Sequence, residues 1–318
     1  MFEQLSTVAI NEIRVLVREK TFLLLLLIFF LLTLFSAYIG WSTKTTILAV
    51  YRQSVITLKQ AGTANIPSNP FTGIAHLSIF RNMIIYIFLV GSLMAIVVGH
   101  RAFIRERKSG VTQLIFSKPL SRSSFILGKI LGITIVLLML IIATFLVSII
   151  SSALIPNQQL TMLEAAKLFS FYIVSFLYMF IFSMLGLIFS IILPTESLTL
   201  LVPMIFWVAV TFIIPELTTG QNPVALLNPT NIIQTTSQGP FFNFMHTVLS
   251  PFSVEQHYTT ISQPLLETQK QFRSLGILEI IKQNGGSFLS LMLYFFISVF
   301  LTFYSFGRYK VTNDKIYE

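Results

Sequence analysis

The stretch Arg101-Ala-Phe-Ile-Arg-Glu-Arg-Lys-Ser-Gly110-Val-Thr-Gln-Leu-Ile-Phe-Ser-Lys-Pro-Leu-Ser-Arg122, running on to Leu127-Gly128-Lys129, decides how the chain around it is read. It carries Arg101, Arg105, Arg107, Lys108, Lys118, Arg122 and Lys129 between two long apolar runs. Each cation costs roughly 2.5 to 3.5 kcal/mol at a bilayer centre, so submerging the stretch would cost on the order of 20 kcal/mol. It therefore stands in water at one face of a membrane. As the densest cationic segment beside apolar spans, it is assigned to the cytoplasmic face by the positive-inside bias.

The remainder of the 318 residues supports that reading. Hydrophobic residues make up 54% of the chain and charged residues only 10%, against about a quarter charged in soluble domains. Mean hydropathy is +0.81. The fold class is an all-α integral membrane protein. The net charge of +9 is concentrated next to apolar spans, so anionic lipid head groups account for it and nucleic acid is excluded as a partner. The chain has no cysteine, hence no disulfide, thiolate metal site or cysteine nucleophile.

Outward from the basic stretch, six transmembrane spans are predicted. Residues 1–20 form an amphipathic interfacial helix, with Leu5, Val8, Ala9, Ile13, Leu16 and Val17 at helical spacing and Glu12, Arg14, Arg18, Glu19 and Lys20 largely off that stripe. Residues 21–214 contain the first five spans. The first runs from Phe22 to Trp41, and twenty residues cover the ~30 Å hydrocarbon core. The others are Met83–Gly99, Ile130–Ile155, Leu168–Leu193 and Leu198–Ile214. An outer loop, 42–82, holds a surface helix followed by an irregular piece from Gly62 to Gly73; the inner loop is 101–129. Residues 215–286 form an extracytoplasmic helical region, in which Ser253 and Gln256 have capping-box spacing. The sixth span lies within 287–306, and 307–318 is a tail. With both termini inside, 13 of the 21 Lys and Arg fall in the shorter, inner segments. That density asymmetry is roughly threefold in favour of this orientation.

Little in the chain points to catalysis. The spans lack the clustered ionisable groups that persist at membrane depth for a purpose. There is no His-Glu-x-x-His, and His76, His100, His246 and His257 are scattered. His100 reads as a solvated helix-end residue. Gly128-Lys129 lacks the flanking residues of a phosphate-binding loop, so the chain does not bind ATP by that motif. Gly186 and Pro203 read as packing or a mild kink. Catalytic, cofactor and metal sites are all expected to be absent.

The basic stretch also carries a resemblance. Glu106-Arg-Lys-Ser-Gly110-Val-Thr112-Gln-Leu114-Ile-Phe-Ser-Lys-Pro119-Leu-Ser-Arg122, followed by Gly128-Lys129, resembles the cytoplasmic loop of permease subunits of type-2 ABC exporters. The similarity is greatest to the branch related to the Nos copper-processing permease. Val111 between Gly110 and Thr112 is a departure from the family pattern. The layout agrees too: an amino-terminal amphipathic helix, six spans, a short link between spans four and five, and an outer helical region. Leu227-Asn228-Pro229 and Leu249-Ser250-Pro251 look like the outer segment of the Nos branch.

The resemblance implies a coupling helix that docks on a separate ABC ATPase, which binds ATP and Mg. The candidate docking residues are Glu106, Gly110, Thr112, Leu114, Ile115, Phe116, Pro119, Ser121, Arg122 and Lys129, with Leu114, Ile115 and Phe116 as an apolar knob and Glu106, Arg107 and Arg122 on a polar rim. It further implies a homodimer, or a heterodimer with a second permease, in a prokaryotic cell membrane. The substrate is not identified. An alternative function is a non-transporting mechanotransmission, immunity or assembly protein acting on an extracytoplasmic partner with the same ATPase. An embedded lipid-modifying enzyme is disfavoured by the missing ionisable cluster.

Overall fold

A computed structural model describes residues 2–62, 75–108, 111–117, 120–156, 159–219 and 239–309. Among these the chain is helical. The irregular piece expected around residues 63–73, the first part of the outer region (220–238) and the tail beyond 309 lie outside the described residues. Six helical stretches are long and apolar enough to cross a membrane: Thr21–Gln60, His76–Arg107, Arg122–Leu154, Met162–Ile192, Glu196–Thr218 and Gly285–Arg308. The multi-pass membrane architecture follows.

The chain opens with α1, Phe2–Arg18, and continues into α2, Thr21–Gln60. At 1.5 Å per residue, the 40 residues of α2 span about 60 Å, twice the hydrocarbon core. A separate surface helix beyond Trp41 was expected; the structure instead continues the first span without a break. The reason is local: from Trp41 to Gln60 there is neither proline nor glycine to end the helix. Gly40 lets the 3₁₀ turn His76–Phe80 cross α2, since a Cβ there would lie 2.5 Å from the Ile79 backbone. The second span is α3, Asn82–Tyr86, a π turn at Ile87–Gly91, and α4, Ser92–Lys108.

The short α5, Val111–Phe116, leads to α6, Arg122–Leu154, and α7, Met162–Ile192. The fifth span is α8, Glu196–Val208, a second π turn at Ala209–Ile213, and α9, Ile214–Thr219. After α10, Pro240–Leu249, come α11, Val254–Leu265, α12, Ile277–Gln283, and the last span α13, Gly285–Arg308.

Most of α7 is enclosed by the other helices, and α4 is its closest partner. Small residues make this approach possible, as expected where lipid supplies no hydrophobic drive between helices. A Cβ on Gly99 would come within 1.7 Å of the Ser183 carbonyl oxygen, and one on Gly186 within 2.2 Å of that of Ile96. Gly186 is thus a packing residue. His100, one position beyond Gly99, is buried at this crossing and not solvated. Hydroxyls inside the spans bond their own helix: Thr33 donates to the Phe29 carbonyl and Thr144 to that of Leu140, each at 2.7 Å. Leu24, Phe35, Leu146 and Phe300 face outward, as lipid contact requires.

Candidate functional site at the basic end of the bundle

One end of the bundle gathers α1, the end of α4, α5, the start of α6, and the ends of α7 and α13. Its geometry begins with Ser121, whose Oγ accepts the Ser124 N–H at 3.1 Å and starts α6 at Arg122. The third span was expected from Ile130. The earlier start places Lys129 inside a helix instead of a loop. Gly128 and Gly132, one turn apart, let α1 seat against α6: an added Cβ at Gly128 would lie 2.6 Å from the Val8 Cβ, and one at Gly132 2.6 Å from the Glu12 Cβ. The glycine beside Lys129 therefore serves a close helix crossing.

Lys129, 1% exposed, projects between three elements. Its Nζ donates to Glu12 Oε2 on α1 at 2.5 Å and to Glu106 Oε1 on α4. Arg105 extends the lattice, with Nη2 to Glu12 Oε2 and Nη1 to Glu19 Oε1, each at 3.3 Å. Two cations thus hold three carboxylates. A charge withdrawn from water is tolerated only when partnered in this way, because desolvation costs several kcal/mol per ion. The lattice binds α1 to both membrane helices that flank α5.

Glu106 and Arg107, neighbours in sequence, work in opposite directions. Arg107 Nη1 donates to the carbonyls of Ser190 at 2.6 Å and Leu193 at 2.8 Å, closing the end of α7 where backbone acceptors lack helical partners. Its guanidinium also lies 5.7 Å from the Tyr309 ring centroid. Arg122 Nη1 donates to the Tyr309 carbonyl at 3.1 Å, with its guanidinium 6.0 Å from the Phe116 ring. Arg101 Nη1 donates to Thr21 Oγ1 at 2.7 Å. Phe116 packs into an aromatic nest, with Phe125 at 5.4 Å and Phe306 at 6.2 Å between centroids.

The residues singled out in the sequence are therefore placed as follows. Glu106 and Lys129 meet in the lattice; Phe116, Ser121 and Arg122 gather at the junction of α5 and α6; Thr112 is buried, and Ile115 is half-buried against the core. Leu114 lies in α5, while Gly110 and Pro119 fall outside the described residues. Glu106 and Arg107 were expected on a rim facing a partner; both spend their hydrogen bonds within the chain. Phe116, expected on an outward knob, turns inward because Phe125 and Phe306 offer it apolar surface.

Glu12, Glu19 and Arg105 were missed. Glu12 does not lie off the apolar stripe of α1: it is fully buried between Ala9 and Leu16, which are buried on the same face. The spacing 5, 9, 12, 16 contains that signal, an acidic residue on a buried stripe that calls for a cation.

Residues 6–311 match the model of a protein family described as ABC-2 family transporter protein. The chain belongs to the ABC-2 transporter family. No curated protein matches it. As an ABC-2 permease it is a membrane-embedded subunit of an ABC transporter, a class whose members work with an ABC ATPase. The layout of six spans fits the family along nearly the whole length of the chain.

Proposed function

We propose that this ABC-2 permease is the transmembrane subunit of an ATP-driven exporter and that α5 is its coupling helix, docking on a separate ATPase. The observation that carries the reading is the setting of α5. It is a six-residue helix held between two membrane helices whose ends are fixed by buried charges, Glu106 on one side and Lys129 on the other. A push on α5 therefore reaches α1, α4 and α6 as one body. Through Arg107 it reaches α7. The basic end is cytoplasmic in this reading, and two permeases, identical or homologous, face each other. ATP and Mg are held by the ATPase.

The test is co-purification with the ATPase. Leu114→Asp is expected to weaken retention at least about tenfold, the loss of one apolar anchor, with the thermal stability of the permease unchanged. Full retention together with undiminished ATP-dependent transport would remove α5 as the docking element. The Nos-related branch is part of the proposal, supported by Leu227-Asn228-Pro229 and Leu249-Ser250-Pro251.

A second reading, force transmission to an extracytoplasmic partner, is favoured by one observation. At the end of α7 opposite Arg107, buried Lys167 donates to Glu267 Oε1 at 2.5 Å and so ties the segment after α11 to the same helix. Helix α7 then connects α5 to the opposite face. ATP-dependent substrate movement in proteoliposomes separates export from force transmission.

A further inference from the structure

Glu255 is a buried carboxyl without a counter-ion among the described residues. It stands in the first turn of α11, a helix started by Ser253, whose Oγ accepts the Gln256 N–H at 3.2 Å. Positions 255, 258, 259 and 262 share one helix face, and Glu255, Tyr258, Thr259 and Ser262 are all buried there, Glu255 with 4% exposure. This helix does not lie on the outside of the bundle. Tyr258 stacks on Tyr178 at 4.5 Å between ring centroids and meets Ser175 Oγ at 3.1 Å. Tyr178 is near the midpoint of α7, so α11 is a wedge reaching the middle of the bundle.

Among the described residues the surroundings are polar but uncharged. The wedge packs on the π turn Ala209–Ile213, which carries Thr211. Ser92, directly after the other π turn, accepts the Trp207 indole N–H at 2.6 Å. Such turns are concentrated at functional positions. The hydroxyls of Tyr178 and Thr211 are neighbours without hydrogen-bond geometry, and both, with Ser262 Oγ, are buried and unpartnered.

Among the described residues no cation pairs with Glu255. His257 contacts Ser287 and the Pro251 carbonyl instead, each at 3.2 Å. On the packed elements the titratable groups are Tyr172 and Tyr178 of α7, Tyr86 of α3, Tyr294 of α13, and Glu279 and Lys282 of α12, the last two exposed, with Tyr304 and Arg308, paired with each other at 4.6 Å, in the last turns of α13. The charges of α7, Glu164 and Lys167, are paired with His76 and Glu267. The tyrosines carry no charge near neutrality.

We propose that Glu255 is a proton-binding site that sets the position of α11: with the proton bound the helix stays wedged against α7, and without it the helix is driven toward solvent. An unpaired carboxylate in this setting costs several kcal/mol, whereas the neutral acid needs only hydrogen-bond partners. Burial pushes the Glu255 carboxyl up to about 8 from an ordinary 4.5, with the Thr259 hydroxyl opposing. An acid raised in this way binds its proton more tightly in the wedged state, so that state loses stability as pH rises from the ordinary value through the raised one. The inference stands whether or not α5 docks an ATPase.

The chain's lack of cysteine makes the test direct. Spin labels on exposed Thr260→Cys and Leu163→Cys report the distance from α11 to the end of α7 in lipid nanodiscs. Infrared titration of the same protein reports the protonated carboxyl. We expect a carboxylic-acid band that is absent from Glu255→Gln and disappears around pH 8. The label distance should shift between about pH 6 and about pH 9 and stay fixed in Glu255→Gln, an isostere of the neutral acid. A carboxyl already ionised at about pH 6, an unchanged distance, an equal shift in Glu255→Gln, or failure of that variant to fold would each overturn the proposal.

Discussion

Glu12 and Glu255 are both glutamates removed from water, and the protein deals with them in opposite ways. At the basic end Glu12 shares Lys129 with Glu106 and takes a second cation from Arg105, so its charge is matched. In the wedge, Glu255 has tyrosine rings and hydroxyls around it, and the proposed match is a proton. The difference is that between a fixed joint and a switch. Paired charges resist any rearrangement that separates them, because separation exposes each to the full desolvation cost. A neutral acid can be ionised by solvent conditions alone.

The largest effect is expected from Lys129→Met. Removing the shared cation leaves Glu12 and Glu106 buried with less compensation, a loss of about 3 to 5 kcal/mol in unfolding experiments in detergent. Combining it with Glu12→Gln should restore part of the loss, a non-additivity that a cycle of single and double variants measures. Full stability of Lys129→Met would mean that the lattice is not a joint.

Gly132→Val tests the same joint through its packing. The new side chain would start 2.6 Å from the Glu12 Cβ and push α1 off α6, costing about 1 to 3 kcal/mol. In the Lys129→Met background the cost should shrink, since Glu12 is then already displaced. An undiminished cost would show that seating of α1 is independent of the ion pairs.

Phe116→Ala removes a half-buried ring from the nest with Phe125 and Phe306. An edge-on aromatic pair is worth about 0.5 to 1.5 kcal/mol beyond its buried area, and a loss near the upper end is expected. Unchanged melting would place the ring outside that nest.

The smallest effect belongs to Glu255→Gln well below the ordinary carboxyl value of 4.5, where the acid is neutral in the folded and unfolded chain alike: a change within about 0.5 kcal/mol is expected. As pH rises from 4.5 to about 8 the variant should become progressively more stable than the native protein, because over that range the native carboxyl ionises on unfolding and the amide cannot. Equal stabilities throughout that range would erase the contrast between the two glutamates.

Much of this was legible in the residues themselves. The six apolar spans, the amino-terminal helix and the Ser253 cap rest on local hydropathy, periodicity and capping, which neighbouring residues set. The boundaries moved where helix formation outran hydrophobicity: α2 continues past Trp41 and α6 begins at Arg122, since neither stretch holds a proline and Ser121 caps the start of α6. Lys129 was noticed as a loop cation, but its partner Glu12 is 117 residues away and looked like one more polar residue on an amphipathic helix. Glu255 drew no notice, because α11 has the composition of a surface helix.

By itself, then, the sequence determined that this is a multi-pass membrane protein with six segments long and apolar enough to cross, and which segments cannot enter the hydrocarbon. Those are statements about transfer of each segment from water, and each segment carries its own transfer energy. Which buried carboxylate received a lysine and which was left with hydroxyls was decided only by the tertiary structure. Charge compensation depends on distances between helices far apart in the chain. Gly128, Gly132, Gly99 and Gly186 set those distances by letting particular pairs of helices touch.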